Sequence, residues 1–98
     1  MKKQENNFSI SGKTVEIEMP QRISDTFTKR VLIMEVFNGK FRNEVPFDFV
    51  NEGMKQIENV RPGDWVTINW QFRANRKERD GGAVRRYITC EGISCYKE

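Results

Sequence analysis

The fold class is indicated most clearly by the segment Asn51-Glu-Gly-Met-Lys-Gln-Ile-Glu-Asn-Val-Arg-Pro-Gly-Asp64, which lies between two sets of strand-like segments. Asparagine is a favoured helix cap, so Asn51 predicts the start of a short helix that runs to Asn59. Met54 and Ile57 lie three apart and give that helix one apolar side, which would plug the end of a core. The Arg-Pro-Gly-Asp sequence at the end of the stretch predicts a turn, because proline presets φ at one central position and glycine accepts positive φ at the next.

Three strand-like segments precede this stretch. From Phe8 to Met19 apolar and polar residues alternate, and the alternation changes parity across Gly12, which indicates a bend or bulge in the first strand. The polar residues from Pro20 to Thr26 predict a surface loop. Asn38-Gly39 predicts a type I′ hairpin turn, since both residues tolerate positive φ, and the third strand follows from Phe41 to Val50.

The second strand, from Phe27 to Phe37, carries apolar residues on both faces. We assign the face of Leu32 to the core, because the other face contains the charged Glu35, which is costly to bury without a partner. That assignment leaves Phe37 and Ile33 on the exposed side of the strand.

Two more strands follow the turn. The fourth begins at Trp65; alternate residues along it are apolar and predicted to face the core, whereas Trp65 lies on the polar face. The apolar positions of this strand are Val66, Ile68, Trp70, Phe72 and Ala74. We also assign Phe47 and Phe49 of the third strand to the core. The fifth strand runs from Val84 to Tyr96, and Gly92 interrupts its alternation.

The order of elements predicts an all-β protein with three strands, a short helix and two further strands, and with glycines at the corners. This is the order of a five-stranded OB-fold barrel that has its helix between strands three and four. An SH3-like barrel is the alternative, and the helix favours the OB-fold. The length of 98 residues predicts a single domain, residues 1–98, in which residues 1–6 form a flexible N-terminus.

Composition argues against several classes of function. No apolar run approaches the roughly 20 residues of a membrane helix, and the first residues lack the apolar stretch of a signal peptide, so we expect a cytoplasmic protein with no membrane partner. The chain has no histidine, which removes the commonest general base and any Ser-His-Asp triad. We therefore expect no enzymatic activity, no catalytic residues and no cofactor.

Metal and redox chemistry are not predicted either. Asp48 and Glu52 have a spacing that arises by chance near strand ends, and we expect both to be solvated rather than to bind a metal. Cys90 and Cys95 match neither a redox motif nor a zinc pattern. We expect them to be free thiols, buried or half-buried.

The segment Arg73–Arg86, which we call the arm, joins the fourth strand to the fifth. It contains six basic and two acidic residues, a local charge of +4, whereas the rest of the chain has 11 basic and 12 acidic residues, so the net charge of +3 comes from the arm. Focused positive charge predicts a polyanionic partner, and the neighbouring rings Trp70, Phe72 and Tyr87 favour single-stranded nucleic acid. A solvated turn that keeps a small sheet soluble is the alternative.

Four segments, spread along nearly the whole chain, match a known family in their order and spacing: Phe8-Ser-Ile-Ser-Gly-Lys13, Val45-Pro-Phe-Asp-Phe49, Arg61-Pro-Gly-Asp64 and Arg86-Tyr-Ile-Thr89. In order and spacing they resemble short OB-fold single-stranded-DNA-binding proteins of phages and Bacteroidetes-type bacteria. The resemblance implies binding of single-stranded DNA without strong sequence preference, in replication, recombination or repair, and no enzymatic activity. It also implies a location in the bacterial cell or, for a phage protein, in the host cytoplasm.

One feature of bacterial single-strand-binding proteins is missing. They usually end in a disordered acidic tail that recruits partners, whereas the sequence here stops at Ser94-Cys-Tyr-Lys-Glu98, at the end of its last strand. We therefore expect no recruitment of partners by such a tail. Partner contacts, if the protein coats DNA, are expected on the barrel surface.

An OB-fold binds oligonucleotides across strands two and three, between the loop joining strands one and two and the loop joining strands four and five. The arm is the second of these loops. Its cations are predicted to neutralise phosphates; they are Arg73, Arg76, Lys77, Arg79, Arg85 and Arg86. Basic residues predicted to complete the other wall of the groove are Arg22, Lys29 and Arg30. Rings predicted to stack on bases are Phe37 and Phe41, followed by Tyr87 and Trp65.

Alternatives stay open at this point. Phe37 and Phe41 also suit a cross-strand pair that covers the barrel end, and Trp65 and Tyr87 also suit partly buried caps or subunit contacts. An OB-fold module that binds RNA or a protein partner, in a regulatory or structural role, would have the same composition. Exposed rings and the edges of an incompletely closed barrel favour self-association as a homodimer or higher oligomer.

Overall fold

Residues 7–98 are described by the structure, a computed structural model. Within that range the strands are β1 (Phe8–Ile17), β2 (Gln21–Ser24), β3 (Phe27–Asn38), β4 (Phe41–Val50), β5 (Trp65–Glu78) and β6 (Val84–Lys97), and a 3₁₀ helix, Asn51–Ile57, joins β4 to β5. Strands β1, β3, β4, β5 and β6 close a barrel, because β1 pairs with both β5 and β3. The predicted all-β fold, a five-stranded OB-fold with its helix between the third and fourth barrel strands, is confirmed. Residues 1–6, predicted as a flexible N-terminus, lie outside the described residues.

Strand β1 closes the barrel by changing its partner at Lys13, which lies opposite both Trp65 of β5 and Glu35 of β3. Gly12 makes the close approach possible, because a Cβ there would lie 2.5 Å from the backbone oxygen of Glu35. The bend predicted around Gly12 is therefore present. The register shift itself comes slightly later, directly after Thr14.

Two connections differ from the sequence predictions. The surface loop predicted from Pro20 to Thr26 contains β2, an exposed edge strand that pairs with β3; its polar residues give no alternation that would reveal it. The hairpin turn is not type I′, because Asn38 pairs with Phe41 and the two turn residues are Gly39 and Lys40. Of these two only Gly39 has positive φ, 63°, as the first position of a type II′ turn requires.

The 3₁₀ helix plugs one end of the barrel with Ile57, whose side chain is fully buried. The helix ends at that residue, earlier than predicted, and Asn51 does not cap it. Asn51 instead has a positive φ of 48°, and its Oδ1 accepts a hydrogen bond from the backbone N–H of Thr28 at 3.0 Å. The asparagine therefore ties the start of the helix to β3.

The barrel interior is closely filled by apolar side chains. Those with no exposed surface are Leu32, Met34, Phe47, Phe49, Ile57, Val66 and Ile68. The assignment of the Leu32 face of β3 to the core is confirmed, as is the exposure of Phe37. Ile33 on the other face is half-buried rather than exposed.

The predicted inward alternation of β5 fails in its second half. Trp70 is half-buried at the edge of the core, Phe72 is 55% exposed and Ala74 is exposed. The reason is length: β5 has 14 residues, and β1 pairs with only Trp65–Trp70 of them. Beyond Trp70, alternate side chains of β5 still point to the side that faces the core in the first half of the strand, but the barrel no longer covers them.

Few polar or ionisable side chains are buried among the described residues. Asp48 is buried rather than solvated as predicted, and Lys29 Nζ, 3.6 Å from Asp48 Oδ2, supplies the opposite charge. Cys90 and Cys95 are free and half-buried, as predicted, and burial raises the pKa of Cys95 to about 11. No helix in residues 7–98 is long and apolar enough to cross a membrane.

Candidate nucleic-acid interface

The arm and the next three residues of β6, Tyr87, Ile88 and Thr89, form a two-stranded ribbon that continues β5 and β6 beyond the barrel. Cross-strand pairing includes Arg73 and continues to Glu78, the last residue of β5. The turn at the tip is closed by a hydrogen bond from the backbone N–H of Arg79 to the backbone oxygen of Ala83, at 2.7 Å. Two glycines within it have φ of 91° and 84° and let the chain reverse. The segment predicted as a loop is therefore mostly sheet, and each of its strand side chains lies on a defined face of the ribbon.

Each strand residue of this ribbon belongs to one of two faces, because cross-strand partners share a face and successive residues alternate. The outer face, which continues the outside of the barrel, carries Arg73, Asn75, Lys77, Arg85, Tyr87 and Thr89. The core-side face, which continues the parity of the barrel interior, carries Ala74, Arg76, Glu78, Val84, Arg86 and Ile88. The predicted phosphate-binding cations are thus divided between two faces, with Arg79 at the tip.

Two of the arm cations already have a carboxylate partner. Arg73 Nη1 lies 3.1 Å from Glu91 Oε2, and Arg76 Nη2 lies 2.8 Å from Glu78 Oε1. The cations that form no salt bridge with any residue from 7 to 98 are Lys77, Arg79, Arg85 and Arg86. Within the described residues, these four can therefore bind phosphate without first breaking an ion pair.

Two aromatic rings lie beneath cations of the outer face. Lys77 Nζ is 5.9 Å from the centre of the Tyr87 ring, and Arg73 Cζ is 5.4 Å from the centre of the Phe27 ring, distances that suit cation–π contacts. Phe27 begins β3, so this contact joins the base of the arm to the β2–β3 hairpin. The two walls between which OB-folds hold an oligonucleotide therefore meet here. Phe27 was not predicted as a site residue, and nothing in the sequence distinguishes it.

The three basic residues predicted for the other wall have different surroundings. Arg22 of β2 is exposed, and its Nη2 donates a hydrogen bond to Asp25 Oδ1 at 2.9 Å. Lys29 lies on the outer face of β3 in the ion pair described above. Arg30 is half-buried, and its Nε donates to the backbone oxygen of Glu18 at 2.8 Å. Arg30 therefore holds the residue that follows β1 against β3, while Arg22 is the more accessible cation of this wall.

Phe37 and Phe41 flank the β3–β4 turn and are 62% and 75% exposed. They are not cross-strand partners, because Phe37 lies opposite Arg42 and Phe41 lies opposite Asn38. Since these are successive pairs of the ladder, the two rings belong to opposite faces of the hairpin. Only Phe37 shares the outer face of the sheet with Lys29.

The surroundings of Phe37 and Trp65 differ from those of the arm. Next to Phe37, Arg42 forms ion pairs with Glu35 and Glu44, whose hydrogen bonds raise the pKa of Arg42. Two carboxylates therefore surround the one guanidinium next to Phe37, whereas cations outnumber carboxylates on the arm. Trp65 is 51% exposed and is the first residue of β5, about 27 Å along the strand from the base of the arm. The structure therefore does not bring Trp65 together with the arm.

Residues 9–94 match the family model described as Domain of unknown function (DUF3127). The chain belongs to the DUF3127 family. A search of curated proteins finds no match. Among solved structures, the DUF3127 chain is similar to the crystal structure of a mitochondrial single-stranded DNA binding protein from S. cerevisiae, Rim1, with a TM-score of 0.69, 16% sequence identity and coverage of 97% of this chain and 96% of that one. The likeness confirms the OB-fold that the sequence resemblance implies.

The DUF3127 chain has a further group of rings that the sequence predictions left out of the site. Phe8 and Phe72, at the base of the arm, are 40% and 55% exposed and pack against Trp70. Ile88, on the same side of the arm, is 71% exposed. Alternation alone assigns Phe72 to the core. The signal that β5 has left the barrel is the run of charge that begins at Arg73, directly after Phe72.

Proposed function

We propose that this DUF3127 protein binds single-stranded DNA without strong sequence preference and coats or protects it during replication, recombination or repair. In this proposal the protein is a binding protein and not an enzyme. The observation that carries the proposal is the arm, on which four cations form no salt bridge with a described residue, together with the adjoining Tyr87 and the contact with Phe27. The OB-fold shared with Rim1, which is a single-stranded DNA binding protein, supports the same ligand.

In this proposal the strand lies between the outer face of the arm and the β2–β3 hairpin. Lys77, Arg79 and Arg85 neutralise phosphates and release condensed counterions, so affinity falls steeply as salt rises. Bases stack on Tyr87, which is 42% exposed, and further along the outer face of the barrel on Phe37. Because every base has a π face, stacking accounts for a low sequence preference.

Phosphate binding and base stacking together predict which nucleic acid binds most tightly. A duplex offers phosphates to the arm, but its bases are stacked on one another and give the rings no face to contact. RNA offers phosphates and bases together with the 2′-hydroxyl. We therefore expect single strands to bind more tightly than duplex, and the sequence resemblance favours DNA over RNA.

Fluorescence anisotropy with labelled oligo-dT, oligo-rU and duplex DNA, each measured across a salt series, tests this function. We expect tight and salt-sensitive binding to oligo-dT, weaker binding to oligo-rU and the weakest binding to duplex. A preference for oligo-rU would make the protein an RNA-binding module instead. Absence of binding at low salt would exclude nucleic acid as the partner.

A further inference from the structure

Three rings form a packed group at the base of the arm, which we call the ring cluster. The ring centres of Phe8 and Trp70 lie 5.0 Å apart, those of Trp70 and Phe72 also 5.0 Å, and those of Phe8 and Phe72 5.3 Å. Trp70 also packs edge-on against Phe47 of the core, with 5.8 Å between ring centres. The ring cluster is therefore fixed to the barrel on one side.

The other side of the ring cluster is open to solvent. Phe8 and Phe72 are well exposed, although both contact a tryptophan that packs on the core. Within residues 7–98, β1 pairs with β5 only as far as Trp70 and so leaves Phe72 uncovered. Because the ring of Phe72 is held by two other rings, its position is set before a ligand arrives, which lowers the entropic cost of binding to it.

Positive charge lies on the same core-side face. Arg76 is four residues beyond Phe72, about 14 Å of extended strand, and Arg86 is its cross-strand partner. Arg76 is paired with Glu78, whereas Arg86 forms no salt bridge with a described residue. Rings next to guanidinium groups match the two features that a single strand presents, which are base faces and phosphates.

We propose that the ring cluster is a second base-stacking site, on the opposite face of the arm from Tyr87, so that a single strand contacts both faces of the arm. This inference rests on the proposed function and adds three residues to it. Charge decides between nucleic acid and a second copy of the chain as the occupant. Two copies meeting at this face would bring together two arms of charge +4, whereas a polyanion is attracted by each of them.

Phe72→Leu tests the inference, since leucine keeps an apolar side chain at a half-exposed position but removes the π face. The expected result is a loss of oligo-dT affinity of roughly 5- to 140-fold, equivalent to about 1 to 3 kcal/mol at ~1.4 kcal/mol per tenfold. Phe72→Trp is expected to keep wild-type affinity. Ile88→Ala is the matched control, because it removes apolar surface from the same face but no ring, and it should bind as the wild type does. Thermal unfolding establishes that each variant is folded.

An abasic oligonucleotide of the same length separates stacking from charge. It keeps the phosphates of oligo-dT but offers no bases, so we expect the wild type and Phe72→Leu to bind it equally. A Trp65→Phe background, which keeps a ring at that position, leaves Trp70 as the only tryptophan. In that background the emission of Trp70 should change when oligo-dT is added and should not change with the abasic strand.

The possible failures are distinguishable. If the wild type binds oligo-dT and Phe72→Leu binds it equally well, the ring cluster is not a stacking site, while the proposed function stands. If the wild type binds no single strand, the proposed function fails and this inference fails with it. Light scattering tests whether a second copy of the chain occupies this face. If the wild type is a dimer, and Phe72→Leu is a monomer that keeps its oligo-dT affinity, the face belongs to a second copy and the inference is wrong.

Discussion

The cations of the arm differ in whether a carboxylate already neutralises them. Arg73 and Arg76 are held by Glu91 and Glu78, so phosphate must compete with an existing ion pair. Lys77, Arg79 and Arg85 have no such competitor among the described residues. We therefore expect the unpaired cations to release the most counterions when a strand binds.

Replacing Lys77, Arg79 and Arg85 together by Ala should flatten the dependence of log affinity on log salt by about two units, since each phosphate contact on a single strand contributes roughly 0.7. The free energy of unfolding should hardly change, because all three side chains lie on the surface. Anisotropy with oligo-dT at several salt concentrations measures the slope. The control replaces Lys13, Lys40 and Arg61, exposed cations outside the arm, and should keep the wild-type slope. If the arm variant kept the same salt slope as the wild type and the control, the arm would not be part of the binding site.

Phe37 and Phe41 offer a second test, because the two rings are similarly exposed but lie on opposite faces of one hairpin. If the strand follows the outer face of the barrel, Phe37→Ala should weaken binding of a long oligo-dT by roughly 1 to 3 kcal/mol, the value of one stacked base. Phe41→Ala should bind as the wild type does and serves as the matched control. A comparable loss in both variants would show that the hairpin tip, rather than one face, contacts the ligand.

Among the structural elements, β6 depends on a glycine where it crosses the core. A Cβ on Gly92 would overlap the ring of Phe49, which is fully buried and cannot move aside easily. Gly92→Ala should therefore lower the free energy of unfolding by about 1 to 3 kcal/mol, the usual cost of overpacking. Urea unfolding measures this change. Gly53→Ala in the 3₁₀ helix is the control, because nothing lies within 4 Å of its added Cβ, and equal stability of the two variants would contradict the packing described here.

The turn before β5 predicts a dependence of stability on pH. The backbone N–H of Arg61 donates to Asp64 Oδ2 at 2.8 Å and, with a smaller effect from Lys97, holds the pKa of Asp64 below its ordinary value of 3.8. A lowered folded pKa stabilises the fold above the unfolded pKa, and this contribution is lost as pH falls through the folded pKa. Urea unfolding between pH 6 and pH 2 should show this loss in the wild type. Asp64→Asn should reduce this loss, and an unchanged profile for Asp64→Asn would exclude the turn as its source.

The same elements show how far sequence determines structure here. Alternation identifies β3 and its buried face, because Glu35 marks the outside, and Pro62-Gly63 marks the turn before β5. Alternation misses β2, an exposed and mostly polar edge strand that, within residues 7–98, pairs with β3 alone. It also cannot show where β5 leaves the barrel, since that depends on how far β1 extends beside it. Phe72 was placed in the core for this reason.

At the scale of the whole molecule, the arm and the barrel differ in how their backbones are protected. Strands β1, β3 and β5 of the barrel each pair with a strand on either side, whereas the arm is a ribbon of two strands, which is marginally stable by itself. Composition located the charge on the arm. It could not divide that charge between two faces, because the division depends on cross-strand register, nor could it reveal the contact of Arg73 with Phe27, which joins distant segments.

This difference predicts a pattern of amide hydrogen exchange. In the free protein, amides of the arm should exchange by local opening, much faster than those of Met34 and Phe47 in the core, which require global unfolding. Saturating oligo-dT should slow exchange across the arm and at Phe27, because binding orders the ribbon against the β2–β3 hairpin. An abasic strand should protect the arm less, since it supplies phosphates without stacked bases. Protection confined to the β3–β4 turn, with the arm unchanged, would place the ligand at the opposite end of the barrel and contradict the proposed path.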